Sequence, residues 1–154
     1  YQVKAEYRAY EVLNGTYRRV SALPEVVLQA FITCDVEIVK ILNLIAILMD
    51  SRLFFEFLRE VYNEKIRLGE KEITDRDLNV FFADKAMQSD VVAGWTDTAV
   101  RKLKQCFTRM MFEAGLLESS VKPRTIKQVH IDYRTEELLT ANGLGKYLKA
   151  VKGV

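Results

Sequence analysis

The sequence predicts a mainly α-helical protein whose C-terminal part is winged-helix-like and contains one short β-hairpin. Three observations predict it. Apolar residues recur at three- and four-residue spacing along most of the 154 residues. Glycine and proline are scarce, seven and two, so few positions interrupt a helix. One stretch, residues 116–132, leaves the helical repeat: Thr125, Ile126, Val129 and Ile131 favour extended backbone around a turn at Pro123. With 49% of residues hydrophobic and the charges well mixed, the chain can build one sizeable core or two small lobes sharing an interface. The expected division is an N-terminal helical bundle over residues 1–72 and a winged-helix-like region over 73–154, packed on a common core.

The first helix is expected over residues 3–13, where Val3, Tyr7, Tyr10 and either Val12 or Leu13 fall at nearly helical spacing and Asn14-Gly15 ends the run. Residues 16–23 have room for another turn or two. Pro24 then sits where a new helix begins, running to about Thr33. Two more helices follow, over 35–49 and about 51–68. The second carries Leu53, Phe54, Phe57, Leu58, Val61 and Tyr62, an aromatic stripe read as core packing. Residues 69–72 make a polar break.

The next helix, over 74–88, opens with Thr74 as cap, Asp77 three residues on, and Ile73 and Leu78 spaced as a hydrophobic staple. A short connection from Ser89-Asp90 leads to Trp95. The helix over 96–114 is capped by Thr96, with Trp95 and Val100 spaced as a second staple, and Gly115 stops it. Its apolar stripe is Val100, Leu103, Phe107, Met110, Met111 and Ala114. Two short strands are expected around 121–124, followed by short helices over 133–140 and 144–151 separated by Asn142-Gly143. The pair of capped helices, 74–88 then 96–114, is a helix-turn-helix candidate in which the second is the recognition element. A generic helix pair is the competing reading.

Charge is uneven along the chain. The net charge is only +2, but residues 96–127 hold seven Lys/Arg against three Asp/Glu, a local +4, while residues 50–95 hold seven against ten. Arg101, Lys102, Lys104 and Arg109 lie off the apolar stripe of the 96–114 helix, with Thr96 at its start and Thr98, Gln105 and Thr108 among them. Lys122, Arg124 and Lys127 fall at or near the hairpin tip, where a wing meets phosphates or the minor groove. Cations that bind phosphates, interleaved with polar side chains able to meet base edges, suit double-stranded DNA. A solvated outer face of an ordinary amphipathic helix is the bland alternative.

Other classes find little support. The longest uncharged apolar run, residues 41–49, is about half a bilayer crossing and is bracketed by Lys40 and Asp50, so no membrane segment is expected. No signal peptide is visible, although the chain starts at Tyr1 rather than Met. Cys34 and Cys106, without Cys-x-x-Cys spacing, read as two buried thiols rather than a zinc site or a disulfide. There is no Gly-rich phosphate loop, no Gly-x-Ser-x-Gly, no His-Glu-x-x-His and no acidic cluster at metal-binding spacing, so neither an enzyme, a cofactor nor a metal is expected. Glu56, Glu60 and Glu64 recur on one helix face, where local ion pairs with neighbouring cations outweigh a metal site. His130, in the expected returning strand, has no companion ligand and reads as structural.

Four segments together, DSRLFFEFLREV at 50–61, WTDTAVRKLK at 95–104, MFEAGLL at 111–117 and VHI at 129–131, resemble the BrxA family, the small accessory protein of bacteriophage exclusion (BREX) defence systems. The likeness covers most of the chain. It implies a small, largely helical, non-enzymatic protein that binds double-stranded DNA beside other BREX components, with a helical bundle similar to the antitermination factor NusB. The family pattern usually starts with a further N-terminal helical region, of which this sequence is expected to hold only the helix at 3–13. The leading expectation is a cytoplasmic duplex-DNA-binding module that contacts mainly phosphates. A protein-interaction adaptor of the defence complex that never touches DNA is the alternative, and the sequence leaves the oligomeric state open.

Overall fold

A computed structural model describes the backbone of residues 2–153 and the side chains of residues 5–153. Helices dominate. In chain order they are α1 (Gln2–Ala22), α2 (Glu25–Thr33), α3 (Val36–Asp50), α4 (Arg52–Phe57), α5 (Asn63–Arg67), α6 (Asp75–Gln88), α7 (Asp90–Ala93), α8 (Asp97–Glu113), α9 (Tyr133–Ala141) and α10 (Gly145–Lys152).

The first helix overruns its expected stop. Asn14-Gly15 lies inside α1, which continues to Ala22, and the Arg18 guanidinium bonds Asp50 at the end of α3 at 2.7 Å. A tertiary ion pair and a run of residues compatible with helix carry the chain past the one glycine, which weakens a helix without ending it. The break falls instead at Leu23, which is buried, and Pro24, which flanks α2. The side chain of Val3, part of the expected apolar stripe, lies outside the described residues.

The expected helix over 51–68 is present with one irregularity. A π-helical turn, Leu58–Tyr62, joins α4 to α5, and the backbone amide of Asn63 closes it on the carbonyl of Leu58, five residues back. With its amide oriented by its hydrogen-bond surroundings, the Asn63 side chain also donates to that carbonyl at 3.1 Å and to Ala150 of α10 at 2.8 Å. The wide turn thus coincides with an anchor between α5 and the C-terminal helix.

The core is one cluster that draws on both expected parts of the chain, from Leu23 to Val151. At its centre Phe107 of α8 stacks within 4.7 Å of Phe54, 5.6 Å of Phe57 and 5.7 Å of Phe82, and Phe57 meets Phe81 edge-on at 5.1 Å. Such pairs add about 0.5–1.5 kcal/mol each to their area burial. They clamp α4, α6 and α8 together, and those helices set the site. Tyr62 is fully enclosed, and burial pushes its phenol well above its ordinary pKa.

Both capped starts form as the sequence predicts. The Thr74 hydroxyl accepts from the Asp77 amide at 3.3 Å while the Asp77 carboxylate accepts from the Thr74 amide at 2.7 Å, with Ile73 and Leu78 buried beside them. The Thr96 hydroxyl accepts from the Ala99 amide at 3.2 Å. At the far end of α8, Gly115 adopts φ +82°, and the amides of Gly115 and Leu116 return to the carbonyls of Phe112 and Met111.

The expected hairpin is reduced to isolated bridges. Residues 124–127 form the middle of three short antiparallel segments. On one side Ile73 and Ile126 donate to Arg124 and Lys71; on the other Glu118 and Lys127 donate to Thr125 and Leu116. The residues between, where strands were expected around 121–124, form a loop. Pro123 has no amide to offer a ladder, and the Val121 amide is taken by the Ser119 hydroxyl at 3.1 Å. His130 follows in irregular, exposed backbone rather than in a strand. Of the two cysteines expected to be buried, Cys34 is half-buried and Cys106 exposed, because α8 turns Phe107 and Met111 inward and leaves Cys106 beside its cations.

Candidate functional site

The side of α8 away from the aromatic cluster, the first turns of α6 and the loop after α8 enclose an open groove of about 840 Å³. Each wall has a local cause. The capping box starts α6 at Asp75, the Schellman-type ending at Gly115 turns the chain back, and the bridges to residues 71–73 lay the loop alongside α6.

Six of the expected residues line this groove together: Arg101, Lys104, Gln105, Arg109, Lys122 and Arg124. Four do not. Thr96 is occupied as the cap of α8, while Thr98, Lys102 and Lys127 are exposed outside the lining. Thr108, a possible base reader by sequence, does line it but is buried and donates its hydroxyl to the Gln105 carbonyl at 3.1 Å within its own helix. That proton is spent.

The cations differ in how free they are. Arg101, Lys102 and Lys127 make no ion pair with another described residue. Lys104 donates to the Asn79 side chain at 2.7 Å and lies 5.5 Å from the Phe82 ring centre. Arg109 pairs with Glu113 one turn on, at 2.8 Å. Lys122 and Arg124 both bind the Asp75 carboxylate, Arg124 at 2.8 Å, and these two partners, Lys122 foremost, hold Asp75 below the usual carboxylate range. Arg124 also donates to the Ile73 carbonyl at 3.3 Å, and its Nε is enclosed without a partner.

Sequence reasoning did not single out Asp75, Asn79, Asp97 or Ser120. Asp75 reads locally as an ordinary acidic residue in a first helical turn; only the fold brings the loop to it. With five cations against Asp75 and Asp97, the lining carries net +3. On another face of α6 a second groove is lined by five carboxylates, Glu60, Glu64, Glu70, Asp77 and Asp84, against Lys65 and Arg76. The charges of this region are therefore segregated by face.

The glutamates read from sequence as a possible cation ladder form ion pairs. Glu56 and Glu60 bind the buried ammonium of Lys85 at 2.8 and 2.9 Å, and Glu64 binds Arg67 at 2.6 Å. Among the described residues no helix is long and apolar enough to cross a membrane.

A model of the BrxA family matches residues 1–143. A BREX protein BrxA from Bacillus cereus (strain H3081.97) is 36% identical over 153 residues, covering 99% of this chain and 76% of the relative. In structure, the chain is similar to an uncharacterized protein from Magnetospirillum magneticum, with a TM-score of 0.78 and 18% identity, over 89% of this chain and 72% of the other. That second likeness speaks for the fold alone.

Proposed function

The chain belongs to the BrxA family, and from that premise we propose that it is a non-enzymatic accessory component of a BREX phage-defence system that binds double-stranded DNA in the groove beside α8. The observation that carries the reading is the convergence of Arg101, Lys104, Arg109 and Lys122 on one groove from two separate segments of the chain. Convergent cations on a concave face are the electrostatic footprint of a nucleic-acid site.

The order of elements supports a winged helix. An opening helical segment, a bridge at Glu72, α6, α8, a bridge at Leu117, a basic loop and a return at residues 125–126 follow one another, with the returning segment in the middle of the three. In this reading α6 and α8 form the helix-turn-helix, α8 enters the major groove, and residues 118–124 are the wing. Helices α1 to α5 are the NusB-like bundle, and the protein works in the cytoplasm. Base reading is weak, since Thr108 is spent and, of the base-reading candidates on α8, only Gln105 is left on the groove lining.

The affinity is expected to fall with salt. Four to five phosphate contacts give a slope of log affinity against log salt near −4, at about 0.9 per contact. A fluorescence-anisotropy titration of a short duplex at several salt concentrations tests this, and a flat response, or normal binding by the Arg101→Ala/Lys102→Ala variant, rejects the assignment. The adaptor reading rests on α1, whose Tyr7, Tyr10, Leu13 and Tyr17 are all exposed. It gains if duplex DNA fails to bind while another BREX component does.

A further inference from the structure

Within the basic groove one carboxylate, Asp75, engages two of the cations. Asp75, at the first residue of α6, accepts from the ammonium of Lys122 and from the Arg124 guanidinium at 2.8 Å. The two cations are not equivalent. The Arg124 side chain is only 12% exposed and is held a second time by the Ile73 carbonyl, so it stays in place. The Lys122 side chain is 64% exposed and has no other ion-pair partner among the described residues.

We infer that Asp75 is a latch on the wing: it holds Lys122 in the free protein and yields that ammonium to a backbone phosphate when duplex DNA enters the groove. This rests on the DNA-binding reading above and specifies how the site is regulated. The carboxylate and an incoming phosphate compete for the same donor, because both are anionic oxygens that accept from an ammonium and Lys122 is long enough to turn between them. Asp75 remains beside the bound strand as a negative charge, which lowers affinity for any duplex and shallows the salt dependence. Arg124 keeps the loop attached to α6 throughout, so the exchange moves one side chain rather than the wing.

The test compares the whole protein with Asp75→Asn, Lys122→Ala and the double variant, binding a short duplex at several salt concentrations, with thermal midpoints measured in parallel. Asp75→Asn is expected to bind about three- to tenfold tighter at ~0.1 M salt, with a slope steeper by about 0.9. Relative to Lys122→Ala, the double variant should show a clearly smaller gain, since the released ammonium is gone and only the relief of the carboxylate's repulsion remains. Should Asp75→Asn lower the thermal midpoint markedly, Asp75→Ser takes its place. Salt-dependent binding by the wild type with no gain in the Asp75 variant overturns the latch and leaves the DNA reading intact. A gain that persists undiminished in the double variant also overturns it. Absence of binding in all four proteins rejects both, whereas binding by the Asp75 variant alone supports the latch.

Discussion

Lys85 of α6 and Glu56 of α4 are joined by an ion pair of 2.8 Å at a site where the lysine side chain is only 8% exposed. Glu60, at 2.9 Å, completes the coordination, and the ammonium lies 5.3 Å from the Phe81 ring centre. This pair ties the helix carrying the capping box to the segment containing the π-helical turn. Removing the lysine leaves the mostly buried Glu56 with the exposed Arg52, at 2.8 Å, as its remaining cation and cuts the tie between α4 and α6, which costs more than losing an exposed pair. Lys85→Ala is expected to lower unfolding free energy by about 2 kcal/mol, below the range for a fully uncompensated buried charge. Urea denaturation checks it. A loss no larger than that of the exposed-pair variant Arg67→Ala would show that the cluster is not a structural tie.

This cluster and the cap of α6 set a pH dependence. Hydrogen bonding from Lys85 holds Glu56 below the usual carboxylate range. For Asp77, burial acts upward, but the Thr74 amide and hydroxyl and the Lys65 ammonium outweigh it, and the net direction is also down. Carboxylates with depressed folded pKa values contribute stability that is fully present above their unfolded values, about 4, and is lost as pH falls through the folded values. Stability should therefore be level between about pH 5 and 7 and decline below about pH 4. Chemical denaturation at a series of pH values checks the shape, and Glu56→Gln should flatten the acid limb.

Two glycines should respond to alanine with opposite signs. Gly15 lies within α1 in helical conformation, and an added Cβ would come 3.3 Å from the end of the flexible Arg19 side chain, so Gly15→Ala should stabilise by about 0.5–1 kcal/mol. Gly115 holds φ +82° with open space around it, so strain alone makes Gly115→Ala destabilising by about 1 kcal/mol. Thermal melts of both variants decide this, and equal signs would refute the contrast.

The cap at Thr74 offers a direct measure of what the sequence reveals. Thr74→Ala removes both the acceptor for the Asp77 amide and a donor to its carboxylate, and should cost about 1 kcal/mol by urea denaturation. A change within about 0.3 kcal/mol would mean that the staple of Ile73 and Leu78, not the cap, determines the helix start.

Such signals are local, which is why they are legible. Thr74 with Asp77, Thr96 before α8 and Gly115 after it each act within a few residues, and the structure realises all three. Asn14-Gly15 carries an equally local stop signal, but Arg18 reaches Asp50, thirty-two residues away, and the helix continues. The residues expected as strands fail for the same reason. Thr125 and Ile126 have strand propensity, yet their pairing depends on residues 71–73 and on residues 116–118, with Pro123 in the loop between, so bridges form where strands were expected. The basic face was readable from charge spacing on α8. Its neutralisation by Asp75 and Glu113 was not, because Asp75 reaches Lys122 and Arg124 only through the fold and Glu113 is one of many acids at an i+4 spacing.

The groove cations should differ in their effect on DNA affinity according to their existing partners. Arg101 lines the groove and makes no ion pair with a described residue, so its full charge is available to a phosphate. Arg109 lines the same groove but already binds Glu113 at 2.8 Å, and a phosphate must compete with that carboxylate. Both are on one helix, two turns apart, so their backbones present them on a common scaffold. Arg101→Ala is therefore expected to weaken duplex binding about three- to tenfold at ~0.1 M salt and to reduce the salt slope by about 0.9, whereas Arg109→Ala should change affinity less than about threefold. Glu113→Gln frees Arg109 and should strengthen binding by a similar small factor. Anisotropy titrations of the three variants at several salt concentrations provide the comparison. If Arg109→Ala proves the more damaging of the two arginine variants, the pair with Glu113 orients Arg109 toward DNA instead of competing for it.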